Sequence, residues 1–353
     1  MSNSIKKIMI PLLFISPAMG PMLAYAGELE QQMLRCSVLG DASARLSCFD
    51  ALAKATTPEQ ADTAVAKAEA VQPLVSIKPT QPAQVVEPAP EISHMVQNWE
   101  LDEASKRGRF VFRPHRDNYL LLANYSNATN DQPFKEFTPG GIKSKHVELT
   151  YQLSFKMKLA EEVANSPVDL WFGYTQQSFW QAYNRSASSP FRETNYQPEI
   201  MAVIPINKNF AGLDIRYVNF GVVHQSNGQT STLSRSWNRI YAELGVERGN
   251  FGLTTRVWRR LDNAKSDNDN IDIVDYMGHG DIRAVYREKS GQEFSLTARR
   301  NFSTGRGAIQ AGWAIPIATN LKGYVQLFSG YGQSLIDYNY SQKSLGGGFI
   351  MDF

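Results

Sequence analysis

The chain has 353 residues, 42 % of them hydrophobic and 20 % charged, and a formal net charge of +2. So small a charge gives no support to a nucleic-acid partner, which would need a strongly basic face. The 15 Tyr and 6 Trp suit the aromatic girdles of a membrane barrel and equally a secreted β-protein, so composition leaves those two classes open.

The first element in the chain is a secretory signal over residues 1–26. Lys6 and Lys7 precede the apolar run Ile8 to Ile15, and Ala24-Tyr25-Ala26 offers a small-x-small cleavage site before Gly27. The run is short and Pro11, Pro17 and Pro21 interrupt the region, which argues against a retained membrane helix. No later segment approaches the about 20 apolar residues that a spanning helix needs. Any further membrane crossing must therefore be made by strands. Residues 27–53 hold both cysteines, Cys36 and Cys48, which meet an oxidising compartment after export. This predicts a Cys36–Cys48 disulfide, with metal binding as an alternative that no nearby His supports. Met33, Leu34, Val38 and Leu39, then Leu46, Phe49 and Leu52, predict a small helical hairpin around the pair. Residues 54–95 read as a disordered linker, with Pro73, Pro79, Pro82, Pro88 and Pro90 closely spaced and too little apolar surface to fold.

From residue 96 to 353 the chain is a succession of alternating strands. The clearest runs Val147, Leu149, Tyr151, Leu153, Phe155, Met157 and Leu159, interleaved with Glu148, Thr150, Gln152, Ser154, Lys156 and Lys158. Alternation over that length fits the roughly 9–11 residues with which a tilted strand crosses a bilayer. Strands are expected near 117–126, 146–159, 167–178, 194–206, 212–226, 235–248, 250–261, 273–286, 291–302, 306–316, 321–332 and 343–353. The fold class is thus all-β: a twelve-stranded antiparallel transmembrane β-barrel, with a soluble sandwich as the competing architecture. Short junctions such as Arg248-Gly249-Asn250 alternate with longer ones such as Asp262–Asn270, as inner turns and outer loops would. Twelve strands leave a lumen that side chains can largely fill, and inward positions such as Tyr241, Glu243, Glu247 and Arg256 suggest a polar, hydrogen-bonded plug of side chains.

Residues 224–238 carry the parts of a hydrolytic triad. Ser226 is the candidate nucleophile, His224 the base and Asn238 the group that orients it. Strand parity places all three on the apolar face, with Val218, Phe220 and Val222 before them and Ile240, Ala242, Leu244 and Val246 after. On a barrel that face is the lipid side. For a lone His-x-Ser the bland reading, two polar residues bordering an outer loop, would be the better one; Asn238 in the same frame, together with the family resemblance of the surrounding string given below, tips the balance. Gly228 would let a backbone N–H approach a tetrahedral oxyanion closely.

The string from Tyr217 to Gly228, continuing through Ser234-Arg235-Ser236-Trp237-Asn238-Arg239, resembles the outer-membrane phospholipase A family of Gram-negative bacteria. Tyr174-Thr175-Gln176, Ser188 to Pro198 and Gly330 to Asn339 look like the same family. The resemblance covers about residues 99–353. It implies a twelve-stranded barrel that hydrolyses phospholipid and lysophospholipid acyl esters with calcium and is activated as a homodimer in the outer membrane. It further implies Ser234 and the Gln229 carbonyl beside calcium, Ser188 supplied by the partner subunit, and Gln176 at the dimer contact. A second calcium site in the family uses an acidic residue where this chain has Ser231, leaving Asp269 as half of it. The competing function is a catalytically inert barrel, a narrow pore or structural protein. A third class is tethering to peptidoglycan or protein by the cysteine unit.

Overall fold

The computed structural model describes residues 36, 41, 47 and 48 of an N-terminal unit, Met1–Gln84, and residues 93–136, 143–261 and 270–351 of a second unit, Val85–Phe353. In the first, Cys36 and Cys48 are joined by a disulfide with their Cα atoms 5.6 Å apart. The expected signal peptide, the helical hairpin as a whole, most of the linker and Asp269 lie outside the described residues.

The first described residue of the second unit is Ser93. Ser93 caps helix α1 (His94–Trp99), its hydroxyl accepting from the Val96 N–H. A two-residue strand β1 (Arg113–Pro114) follows, and then twelve long strands: β2 (Asn118–Ser126), β3 (Val147–Ala160), β4 (Asp169–Trp180), β5 (Phe191–Phe210), β6 (Leu213–Ser226), β7 (Ser236–Arg248), β8 (Phe251–Arg260), β9 (Gly280–Arg287), β10 (Glu293–Arg300), β11 (Gly307–Ala318), β12 (Leu321–Tyr331) and β13 (Ser341–Met351). Every neighbouring pair is antiparallel, and β13 returns to β2 with Ser344 opposite Ser126 and Met351 opposite Asn118. That pairing closes the sheet and leaves no edge among β2–β13. β1 extends the β2 side of β3, with Arg113 opposite Lys156.

Inverted burial identifies the solvent for which the barrel is built. Leu153, Ile200, Phe220, Val222, Ile240, Val257, Leu327 and Leu345 are exposed on the outside. Lys156, Lys158, Glu193, Glu199 and Asp337 are almost wholly buried within. An apolar exterior around a polar interior is what a barrel in a bilayer requires. Among the described residues no helix is long and apolar enough to cross a membrane, so the strands make the crossing. The turns at one end are short, as at Gly249-Asn250, while the loops at the other are long, as at 127–146 and 227–235. By that asymmetry the long loops are outside.

The sequence places a strand over 273–286, and the structure corrects this. Ile273–Met277 is a short helix, α2, ended at Gly278 in a positive-φ conformation, and β9 starts only at Gly280. Ile273 is fully buried in a cluster with Trp237, Trp258, Leu335 and Tyr338. Val274, Tyr276 and Met277 pack against the same cluster.

Candidate active site on the lipid-facing wall

β6 and β7 pair with His224 directly opposite Asn238 and Ser226 opposite Ser236. Alternation points Val222, His224, Asn238 and Ile240 outward, while Val223, Trp237, Arg239 and Tyr241 face in and are buried. The structure brings the predicted base and orienting group into contact: His224 Nδ1 lies 2.8 Å from Asn238 Oδ1. With the amide oxygen as acceptor, Nδ1 carries the proton, and Nε2 keeps the lone pair that a base needs. Ser226, two residues along β6, shares their face at the outer end of the strand.

Behind His224 and Asn238, the inward side of the same two strands is locked. Gln225 Oε1 accepts from Trp237 Nε1 and Arg239 Nη2, each at 2.9 Å. Trp237 is fully buried, and the Arg239 guanidinium lies 4.0 Å from its ring centre. The outer pair therefore sits on a rigid wall rather than a loop, the arrangement that holds catalytic geometry best.

The loop between β6 and β7 is organised by Asn227, a residue that the sequence reading passes over. Its Oδ1 accepts from the Arg235 N–H at 2.9 Å and the Gln229 N–H at 3.3 Å. Its Nδ2 donates to the Leu233 carbonyl at 2.8 Å and to the buried Glu193 at 3.3 Å. An Asn before a Gly between two strands was the available signal; such an amide commonly replaces missing backbone partners in a turn. Gly228 has φ 64°, and a Cβ there would stand 3.2 Å from the Tyr196 ring. Glycine is thus required at this position beside Ser226 on both counts. Gln229 is exposed and Ser234 half-buried in this loop, whose last turn closes from the Ser234 N–H to Ser231 O at 3.0 Å. Ser188 lies apart from them, exposed on the β4–β5 loop with φ 60°. Gln176 is on the outer wall, opposite Tyr196, which is in turn opposite Ser226. Its amide accepts from the Tyr174 hydroxyl at 3.1 Å and donates to Ser178 at 3.4 Å.

The phospholipase A1 family matches residues 95–351, a span that includes every barrel strand of this geometry. The chain belongs to that family. A putative phospholipase A1 of Neisseria meningitidis serogroup B is 38 % identical over 357 residues, covering 94 % of each chain. The structure of an active-site mutant of Escherichia coli outer membrane phospholipase A, in which an asparagine is replaced by alanine, superposes with a TM-score of 0.64. It is 33 % identical and covers 71 % of this chain and 95 % of that one. The Salmonella typhi outer membrane phospholipase, solved as a dimer with bound calcium, gives a TM-score of 0.65 at 33 % identity, covering 70 % and 94 %. The twelve-stranded expectation is met, and the phospholipase fold places this barrel in the outer membrane. The part of the chain before α1 lies beyond the family match.

Proposed function

We propose that the chain hydrolyses acyl esters of phospholipids and lysophospholipids at the outer membrane, with Ser226, His224 and Asn238 as its triad. The observation that carries this reading is the 2.8 Å His224–Asn238 contact on a lipid-facing wall, with Ser226 on the same face. A phospholipid standing against β6 brings its ester to the outer end of the strand without leaving the leaflet. His224 Nε2 takes the Ser226 proton as Oγ attacks the acyl carbonyl, and the imidazolium is steadied by Asn238. The Gly228 N–H is the candidate donor to the oxyanion. The imidazolium then returns its proton to the leaving alcohol, and water repeats the sequence on the acyl-enzyme.

Calcium is the cofactor that this reading requires. Among the described residues no group of three or more His, Cys, Asp or Glu could hold a metal ion. The donors that fit are oxygens of one loop pinned by Asn227: the Gln229 carbonyl and the Ser234 hydroxyl. Neutral oxygens and water suit calcium but make an incomplete set within one protomer. Ser188 of the partner subunit would complete it, which couples the metal to a homodimer. When bound, calcium supplies positive charge near the developing oxyanion.

Fatty-acid release from mixed phospholipid–detergent micelles tests the reading. Wild type should be active with calcium and silent with chelator, and Ser226→Ala should fall to background in both. Equal release by the variant would remove Ser226 from the mechanism. A silent but folded dimeric wild type would favour the inert barrel.

A further inference from the structure

Sorting the strand residues by face sets all outward-facing Lys, Arg, Asp and Glu side chains of the outer rim on one side of the barrel. They are Arg259 at the end of β8, Arg300 at the end of β10 and Lys343 near the start of β13, all exposed and all cationic. Each lies directly above lipid-facing apolar residues of its own strand: Val257, Leu296 and Leu345. None of the three side chains makes a hydrogen bond or ion pair among the described residues, whereas the inward Arg256 and Arg283 pair with Asp281 and Asp117 at 2.7 Å. The side that carries Ser226 is different: β4 ends in Trp180 and β5 begins at Phe191, the two rings stacked at 5.2 Å, with Tyr196 further along β5. Unpaired cations at headgroup level, continuous with the lipid belt, call for anionic headgroups.

Strands are spaced about 4.8 Å apart, so Arg259 and Arg300 are separated by roughly 10 Å around the wall, and Arg300 and Lys343 by roughly 15 Å. From Arg259 to Lys343 the stripe spans five strands, roughly 24 Å, more than one phosphate engages at once, whereas two phosphates carried on a sugar backbone match its length. Between β13 and β3, half-exposed Tyr125 stacks on His146 at 5.9 Å, adding an amphipathic pair at the same level. We propose that Arg259, Arg300 and Lys343 form a docking stripe for an outer-leaflet glycolipid bearing two phosphates. The stripe seats that lipid against β8–β13 and turns the Ser226 wall toward the rest of the leaflet. It is independent of the catalytic assignment.

The experiment compares the full-length folded protein with the triple variant Arg259→Gln, Arg300→Gln, Lys343→Gln by native mass spectrometry from detergent. The probes are a diphosphorylated disaccharide lipid, its dephosphorylated form and cardiolipin. Wild type should retain the diphosphorylated lipid at least tenfold better than the dephosphorylated one. The variant should retain the two alike, with heat-modified gel mobility showing an intact barrel. Added salt should erase the wild-type preference, because exposed charges are screened. No preference in wild type, or an undiminished preference in the variant, overturns the stripe. Cardiolipin held as well as the diphosphorylated lipid overturns the glycolipid assignment.

Discussion

On a wall that faces lipid, an orienting group without charge avoids leaving a desolvated carboxylate beside the base whenever His224 is neutral. Asn238 meets that constraint because it sits opposite His224 in the β6–β7 register. Losing it frees the imidazole to rotate and to exchange tautomers. Asn238→Ala should therefore lower kcat by about 10- to 100-fold, the worth of one or two hydrogen bonds, with KM little changed. Steady-state hydrolysis of a soluble thioester analogue in micelles measures this. A loss as deep as that of Ser226→Ala would make Asn238 more than an orienting group. The shared face of Ser226, His224 and Asn238 is legible in the sequence because period-2 parity fixes which side chains point the same way. Asn227 is not, since its four contacts run to Leu233, Arg235, Gln229 and Glu193, and a turn's side-chain accounting depends on where the loop returns.

At the scale of elements, α1 and the segment after it close the inner end of the lumen. The Met95 N–H donates to Glu247 at 2.8 Å, and Ser93 also binds that carboxylate. Trp99 is buried edge-on against Trp171, with Lys156 Nζ 3.4 Å above its ring. Glu100 then accepts from Arg113 at 2.8 Å and meets Lys158 at 3.1 Å, with Asp169 and Glu161 on the far side of Lys158. Burial pushes the Glu100 carboxyl up, but its bonds to Arg113 and Lys158 outweigh that and hold it below its ordinary value. A carboxyl depressed by folding stabilises the plug above its unfolded value and ceases to do so as pH falls through its folded one. Planar-bilayer recordings should thus be quiet at neutral pH and show openings only in strong acid. Glu100→Gln, which leaves buried Arg113 without its carboxylate at about 3–5 kcal/mol while Lys158 keeps Asp169 and Glu161, should open at neutral pH. Silence of that variant would show that the plug is held without Glu100. The sequence revealed the wall but neither this plug nor α2. Alternation reports that a residue faces inward; it says nothing of what else fills the lumen.

The whole molecule joins lipid contact to assembly along a single row of the outer wall. Gln176 on β4, Tyr196 on β5 and Ser226 on β6 stand opposite one another in register, so Gln176 and Ser226 are two strands, or roughly 10 Å, apart. A second copy that covers Gln176 must also overhang Ser226, which is how one contact could both complete the calcium donors and enclose an acyl chain. In the single protomer the Gln176 amide is already bonded to Tyr174 and Ser178. As a dimer contact it would reach the partner by exchanging bonds, with a modest net contribution to assembly. Polar contacts within membranes are worth about 0.6–1.7 kcal/mol, so Gln176→Ala should raise the dimer dissociation constant about three- to twentyfold. Energy transfer between labelled copies in micelles with calcium measures that constant directly. At protein concentrations that saturate the dimer, the variant should recover wild-type kcat, because Gln176 touches no reacting atom. A kcat that stays low when dimerisation is complete would move Gln176 from the interface into the substrate cleft. An unchanged dissociation constant would place the contact elsewhere on the wall.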